Sequence, residues 1–173
     1  MSSSRVLTIP NLLSFARIPL AAAFVAVHGT GARLALIVAA SVTDLLDGWL
    51  ARRGGTTRFG ALLDPIADKT FILFALSAFL FAGTLGTADY FVILSRDLAT
   101  AVGFLVAYWL PGLDPADFKA RWPGKVVMVL QLAALFVLLL RPALIPWLVV
   151  PIAAFSTWAI VDYTLYLARV RTK

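Results

Sequence analysis

Apolar stretches of about 20 residues recur along the whole chain, which is the length needed to cross a bilayer as a helix. Gly, Pro or charged residues separate the stretches and are typical of turns. The six predicted spans are residues 11–28, 33–52, 60–81, 90–110, 125–140 and 145–168. The pattern therefore predicts an all-α integral membrane protein with six transmembrane helices, forming a single membrane domain over residues 1–173.

Composition supports this interpretation. Hydrophobic residues make up 61% of the 173 positions and charged residues 14%, whereas a soluble domain carries about 25% charged residues. A chain this apolar is not a disordered segment. The absence of cysteine excludes a disulfide-stapled scaffold.

The basic residues predict the orientation of the spans. Ten of the fifteen fall before the first span, between the second and third, between the fourth and fifth, or after the sixth: Arg5, Arg52, Arg53, Arg58, Lys119, Arg121, Lys125, Arg169, Arg171 and Lys173. The opposite side has only Arg33 and Arg141. Because cytoplasmic loops carry the excess of Lys and Arg, both termini are expected in the cytoplasm. The net charge of +6 is thus explained by topology and attraction to anionic lipids, with no nucleic-acid partner.

Four aspartates lie inside the second and third predicted spans, where an ionisable side chain facing lipid is costly. Asp44 and Asp47 fall in the last turns of the second span, and Asp64 and Asp68 in the first turns of the third. Spacings of three and four residues keep each pair on one helix face. We therefore expect the four carboxylates to meet at similar depth in the cytoplasmic half of the bundle.

These carboxylates predict a metal site. Four of them at low dielectric could not all stay ionised without counter-charge. Oxygen ligands without His or Cys favour Mg²⁺ or Mn²⁺, which also bind substrate phosphate oxygens. The small residues Gly48, Ala51 and Gly60 share the same helix faces and permit close approach of a ligand. The pattern indicates transfer chemistry at a phosphate or diphosphate.

A structural alternative is that the aspartates only form ion pairs that lock the bundle. The basic residues within the spans are Arg17, Lys69 and Arg96. Three partners at most cannot match four carboxylates, so the pattern favours the metal site.

The segment from Asp44 to Asp68 resembles the signature of the CDP-alcohol phosphotransferase (CDP-alcohol phosphatidyltransferase) family. Residues 44–52, DLLDGWLAR, and 60–68, GALLDPIAD, fit its pattern D-x₂-D-G-x₂-A-R followed by G-x₃-D-x₃-D. The spacer between Arg52 and Gly60 has seven residues, where eight is common in the family. The shortening leaves both Asp spacings intact and concerns only the loop. The length and the six spans also agree, so the resemblance covers essentially all of residues 1–173.

The resemblance implies a role for each matched residue. Asp44, Asp47 and Asp64, assisted by Asp68, would hold two divalent ions on the donor diphosphate. Asp68 would also be the catalytic base that takes the proton from the acceptor hydroxyl. The residues implied at the CDP and diphosphate are Asp44, Asp47, Gly48, Ala51, Arg52 and Gly60. The implied reaction transfers a phosphatidyl group from CDP-diacylglycerol to an alcohol and releases CMP.

The acceptor is indicated less directly. Residues 7–17, 94–97 and 124–125, with Gln131, resemble the phosphatidylglycerophosphate synthase and cardiolipin synthase branches, which use glycerol 3-phosphate and phosphatidylglycerol. The candidate residues for an acceptor phosphate are Arg96, Lys119, Arg121 and Lys125. They favour glycerol 3-phosphate, while phosphatidylglycerol and an inositol phosphate stay open as alternatives.

Two other classes of protein compete with this hypothesis. Membrane prenyltransferases also use Asp-rich motifs with Mg²⁺, but their motifs are spaced differently and they need more helices than 173 residues provide. A small cation transporter or ion-binding membrane module would use the carboxylates without any transfer reaction. The family resemblance further implies a homodimer in the bacterial cytoplasmic (inner) membrane, with the active site facing the cytoplasm.

Overall fold

The computed structural model describes residues 9–54, 58–109 and 122–171. Within these ranges the chain forms six α-helices and no β-strand. The helices are α1 (Ile9–Ala26), α2 (Thr30–Gly54), α3 (Arg58–Phe81), α4 (Thr87–Trp109), α5 (Trp122–Leu140) and α6 (Ile145–Arg171). A 3₁₀ turn at Pro142–Leu144 precedes α6. Each helix coincides with one predicted span, so the all-helical prediction is confirmed for this part of the chain.

Among the residues that the structure describes, two segments are long and apolar enough to cross a membrane by length and composition. They are Trp122–Leu140, with a mean hydropathy of 2.1, and Pro142–Asp162, with a mean hydropathy of 2.0. Asn11–Ala26 and Lys69–Phe81 are apolar but shorter. The six spans and their orientation stay a prediction, as does the single domain over residues 1–173.

The chain divides into two compact units, residues 1–84 and 85–173. In the first unit, α1 packs against both α2 and α3. Its core centres on Phe24 of α1, which is fully buried between two rings of α3. The Phe24 ring meets Phe71 and Phe79 edge-on, with centroid separations of 6.0 and 5.8 Å. Aromatic pairs in this arrangement stabilise a core beyond their buried area.

Arg33, in the first turn of α2, packs against the aromatic rings of the same core. Its guanidinium carbon lies 5.1 Å from the Phe24 ring centroid and 5.4 Å from that of Phe79. Its Nε donates a hydrogen bond to the Val27 carbonyl at 2.8 Å. The side chain that the charge pattern assigns to a loop is therefore buried, because two ring faces and a carbonyl replace the water around its charge.

α3 ends at a glycine turn. Gly83 has a φ of +72°, a conformation that side chains with a Cβ seldom adopt. The Gly83 amide donates to the Leu80 carbonyl, and both the amide and the hydroxyl of Thr84 donate to the Phe79 carbonyl. These bonds satisfy the carbonyl groups left at the end of the helix.

In the second unit, α6 packs against α4 and α5. The side chains that are fully buried there include Ile93 of α4, Val127 and Leu135 of α5, and Ile152 of α6. Large apolar side chains also remain exposed, among them Trp147, which is 79% exposed. Exposed apolar surface on apolar helices is typical of a protein whose surroundings are lipid.

Candidate functional site

The N-terminal half of α1 carries a polar stripe that faces the interior of the first unit. Asn11, Ser14 and Arg17 are spaced three residues apart, which keeps them on one side of the helix. All three are buried, and Arg17 is only 1% exposed. Because a buried charge requires paired partners, this stripe locates the polar centre of the unit.

The partners of Arg17 are the first two aspartates of the signature. Its Nη1 donates to Asp44 Oδ1 at 2.8 Å, and its Nη2 donates to Asp47 Oδ2. The Ser14 hydroxyl donates to the same Asp47 oxygen at 3.1 Å. One guanidinium thus joins two carboxylates that stand one helical turn apart on α2.

The two carboxylates differ in exposure. The Asp47 side chain is 4% exposed, whereas that of Asp44 is 46% exposed. Asp47 therefore lies at the inner end of the site, and Asp44 lies where a water-borne or lipid-borne ligand can reach it. Both aspartates bond the same guanidinium from one side of α2.

The other residues of the signature lie on the same pair of helices. Gly48 is half-buried on α2, and Ala51 and Arg52 follow in the last turns of that helix. Gly60, Asp64 and Asp68 belong to α3. The side chains of Ala51, Arg52, Asp64 and Asp68 lie outside the described residues, so their predicted roles stay predictions.

The donor set fits a divalent cation as far as it is described. Asp44 and Asp47 supply carboxylate oxygens, the ligands that Mg²⁺ and Mn²⁺ prefer, and both already bond one guanidinium through its two Nη atoms. Among the side chains that the structure describes, no group of three His, Cys, Asp or Glu residues comes together. A complete metal site would therefore need the carboxylates of α3.

The alternative hypothesis is that the aspartates only form ion pairs that lock the bundle. Part of it is observed, since Arg17 pairs with Asp44 and Asp47. Arg96 pairs with Asp97 in its own helix at 3.0 Å. One arginine neutralises only one of the two charges on α2. A bound metal ion would add further positive charge beside these carboxylates.

A second polar cluster lies in the unit of residues 85–173. Arg96 and Asp97 project from α4, and Gln131 of α5 donates through Nε2 to Asp97 Oδ2 at 2.7 Å and to the Ile93 carbonyl at 2.8 Å. Arg96 and Gln131 are both buried. Asp97 thus bonds Arg96 within α4 and contacts α5 through Gln131.

The acceptor candidates are only partly described. Lys125 is exposed in the first turn of α5, directly after the buried Gly124 that contacts Arg96. Lys119 and Arg121 lie outside the described residues. Of the four candidates, Arg96 and Lys125 are thus located, both in the second unit.

Sequence reasoning overlooked the part played by Ser14, and it did not assign Gly124 a contact with Arg96. The spacing of Asn11, Ser14 and Arg17 in an otherwise apolar helix was a signal for the first. The second had no signal in the pattern, because a glycine beside an arginine is visible only once two helices are packed.

Comparison with known proteins bears on the whole chain. A protein of Mycobacterium tuberculosis named as a phosphatidylglycerophosphate synthase is 34% identical over 96% of this chain and 83% of its own length. A protein of Mycobacterium bovis named as a cardiolipin synthase is 36% identical over 66% of this chain, which spans 56% of that relative. An Aquifex aeolicus protein named CDP-diacylglycerol–glycerol-3-phosphate 3-phosphatidyltransferase is 36% identical over 56% of this chain and 58% of its own length.

The match to a family profile covers five of the six helices described above completely and the sixth in part. The profile of the CDP-alcohol phosphatidyltransferase family matches residues 7–161, which include the polar stripe of α1, the signature on α2 and α3, and the Arg96 cluster. This chain belongs to the CDP-alcohol phosphatidyltransferase family.

Proposed function

We propose that this protein transfers the phosphatidyl group of CDP-diacylglycerol to glycerol 3-phosphate and releases CMP, with two divalent metal ions, Mg²⁺ or Mn²⁺. The observation that carries the proposal is the joint contact of Asp44 and Asp47 with one guanidinium, because it brings two signature carboxylates to a shared cation. Family membership supplies the chemistry to which this geometry is suited.

In this proposal the signature aspartates have two roles, metal binding and proton transfer. Asp44, Asp47, Asp64 and Asp68 hold the metal ions. When bound, the ions neutralise charge on the donor diphosphate, as in other phosphoryl transfers. Gly48, Ala51 and Gly60 leave room for the cytidine end, and Arg52 binds the diphosphate.

Asp68 acts as the general base. It takes the proton of the acceptor hydroxyl while the oxygen forms a bond to the β-phosphorus of the donor. The bond between that phosphorus and the bridging oxygen breaks, and CMP leaves with the electron pair. Atoms and charges balance without a further reactant.

The phosphate of the acceptor is bound by Arg96, with Lys119, Arg121 and Lys125 as further basic groups. Arg96 is buried in a mostly apolar unit and is paired with Asp97 at 3.0 Å, so in this proposal the acceptor phosphate shares its guanidinium with that carboxylate. The name of the Aquifex aeolicus relative specifies glycerol 3-phosphate, which favours that acceptor. Phosphatidylglycerol, suggested by the name of the Mycobacterium bovis relative, and an inositol phosphate are the alternatives.

The protein spans the bacterial cytoplasmic (inner) membrane six times as a homodimer, with both termini and the active site on the cytoplasmic side. The distribution of basic residues supports the orientation. The chain has no cysteine, so single cysteines introduced as Gly29→Cys and Lys173→Cys can be labelled without background. A membrane-impermeant maleimide added to whole cells should label Gly29→Cys alone. Labelling of Lys173→Cys from outside would contradict the topology.

The transferase is tested with the full-length protein, CDP-diacylglycerol and Mg²⁺, with release of CMP as the readout. Glycerol 3-phosphate, phosphatidylglycerol and an inositol phosphate are compared as acceptors. Asp44→Asn and Asp68→Asn should abolish release, and so should a chelator until Mg²⁺ or Mn²⁺ is restored. Asp89→Asn, in the first turn of α4 outside the signature, is the matched control.

The competing function is a cation transporter or ion-binding module. It predicts cation flux in proteoliposomes and no CMP with any acceptor. If no acceptor yields CMP, and Asp44→Asn and Asp68→Asn behave as wild type, the transferase proposal is wrong.

A further inference from the structure

The polar stripe of α1, Asn11, Ser14 and Arg17, lies outside the signature but contacts it directly. The signature comprises residues on α2 and α3 only, whereas two side chains of this stripe bond to Asp47. The contacts join α1 to α2 across 30 or more positions of sequence. The stripe thus belongs to the site by geometry.

Arg17 bonds more carboxylates than an ion pair that only holds the helices together would need. A single carboxylate would neutralise Arg17, yet its two Nη atoms bind different aspartates. The planar guanidinium has a rigid donor geometry, so the distance between its nitrogens sets the separation of the two carboxylate oxygens. Ser14 adds a second donor to the Asp47 oxygen and restricts the rotamer of that side chain.

The two carboxylates differ in burial, so Asp47 is held rigidly and Asp44 is accessible. Arg17 and Asp47 are almost wholly enclosed, so neither can reorient without disturbing the core. Asp44 keeps 46% of its side chain exposed and remains accessible to a ligand. The pair therefore has one fixed carboxylate and one accessible carboxylate, both oriented by the same arginine.

We infer that Arg17 is a positioning residue for the metal ligands Asp44 and Asp47, and that Ser14 assists it by fixing Asp47. This inference rests on the proposed metal-dependent function. Residues that hold metal ligands in place affect metal affinity by about 10- to 100-fold when they are removed. Without Arg17, the two carboxylates repel one another, and Asp47 loses the guanidinium that joins it to Asp44.

The test is Mn²⁺ binding by the purified full-length protein in detergent, with free Mn²⁺ followed by electron paramagnetic resonance. We expect Arg17→Gln to weaken Mn²⁺ binding about tenfold or more. Arg17→Lys should bind Mn²⁺ more tightly than Arg17→Gln but less tightly than wild type. It keeps the positive charge but lacks the two Nη donors that bond both aspartates. Ser14→Ala should cause a smaller loss. The matched control is Arg33→Gln, which removes another buried arginine of the same unit that contacts rings and a carbonyl.

Each outcome bears on the inference. An Arg17→Gln protein that unfolds at lower temperature but binds Mn²⁺ as tightly as wild type, or more tightly, overturns it. If that variant does not fold, unchanged affinity in both Arg17→Lys and Ser14→Ala overturns it instead. Wild-type protein that binds no Mn²⁺ refutes the proposed metal dependence, and the inference with it. Normal wild-type binding with unaffected variants refutes the inference alone.

Discussion

The guanidinium of Arg96 lies directly against the backbone of Gly124. A Cβ added to Gly124 would come within 2.5 Å of Arg96 Nη2 and 3.2 Å of its Cζ. α5 can therefore approach the charged end of this side chain only because residue 124 has no side chain. The same guanidinium bonds Asp97 at 3.0 Å, so it lies between that carboxylate and the backbone of α5 at Gly124.

Gly124→Ala should consequently displace Arg96 and weaken acceptor binding. Weakening one charge-assisted hydrogen bond to phosphate costs about 1.5 kcal/mol or more, which corresponds to an increase of about tenfold in KM for glycerol 3-phosphate. The KM for CDP-diacylglycerol should change little. Steady-state kinetics with each substrate varied in turn measures both values.

Gly31→Ala is the control for that substitution, because nothing lies within 4 Å of the added Cβ there. It should leave both KM values unchanged. Equal effects of the two variants, or a change confined to the donor KM, would contradict the role given to Arg96.

Gln131→Leu should lower stability and also raise the acceptor KM. The substitution removes a buried hydrogen bond to the Ile93 carbonyl and a partly buried one to Asp97. Each is worth about 1 kcal/mol, so the free energy of unfolding should fall by about 2 kcal/mol. Thermal unfolding in detergent measures the change. Met128→Leu, a substitution of similar volume on the exposed side of α5, should have almost no effect.

The helices were predictable from the sequence because their signal is local. An apolar run bounded by turn residues determines α5 and α6 almost by itself, and both begin and end within a few residues of the predicted limits. The pairing of Arg17 with signature aspartates was foreseeable in kind, since a buried charge must find a partner. That it binds both Asp44 and Asp47 was not, because the choice depends on the register between α1 and α2.

Other contacts depend on how the helices pack, which the hydrophobic periodicity of a single helix does not predict. Gln131 bonds a main-chain carbonyl of α4, and nothing in its own helix indicates which carbonyl will be near. Arg33 looks like a loop charge because it closely follows the turn residues Gly29, Thr30 and Gly31. Its burial follows from Phe24 and Phe79, which reach it from two other helices.

Arg33→Gln should reduce stability without altering catalysis. It removes the guanidinium from two aromatic rings and one hydrogen bond to the Val27 carbonyl. Cation–π contacts of buried groups contribute about 0.5–2 kcal/mol, so a loss of about 2 kcal/mol in unfolding free energy is expected. Arg33→Lys, which keeps the charge near the rings, should recover part of the stability. A marked change in kcat for either variant would contradict a purely structural role.

Asp47→Asn and Asp44→Asn should separate stability from activity. Both remove a predicted metal ligand, so both should abolish CMP release. Asp47 forms an enclosed pair with Arg17, and breaking a buried pair costs about 3 kcal/mol or more. The Asp44 carboxylate is 46% exposed, where an ion pair contributes about 1 kcal/mol or less. Asp47→Asn should therefore lower the unfolding temperature clearly more than Asp44→Asn. Equal losses of stability would show that Arg17 depends on both aspartates alike, against the difference in their burial.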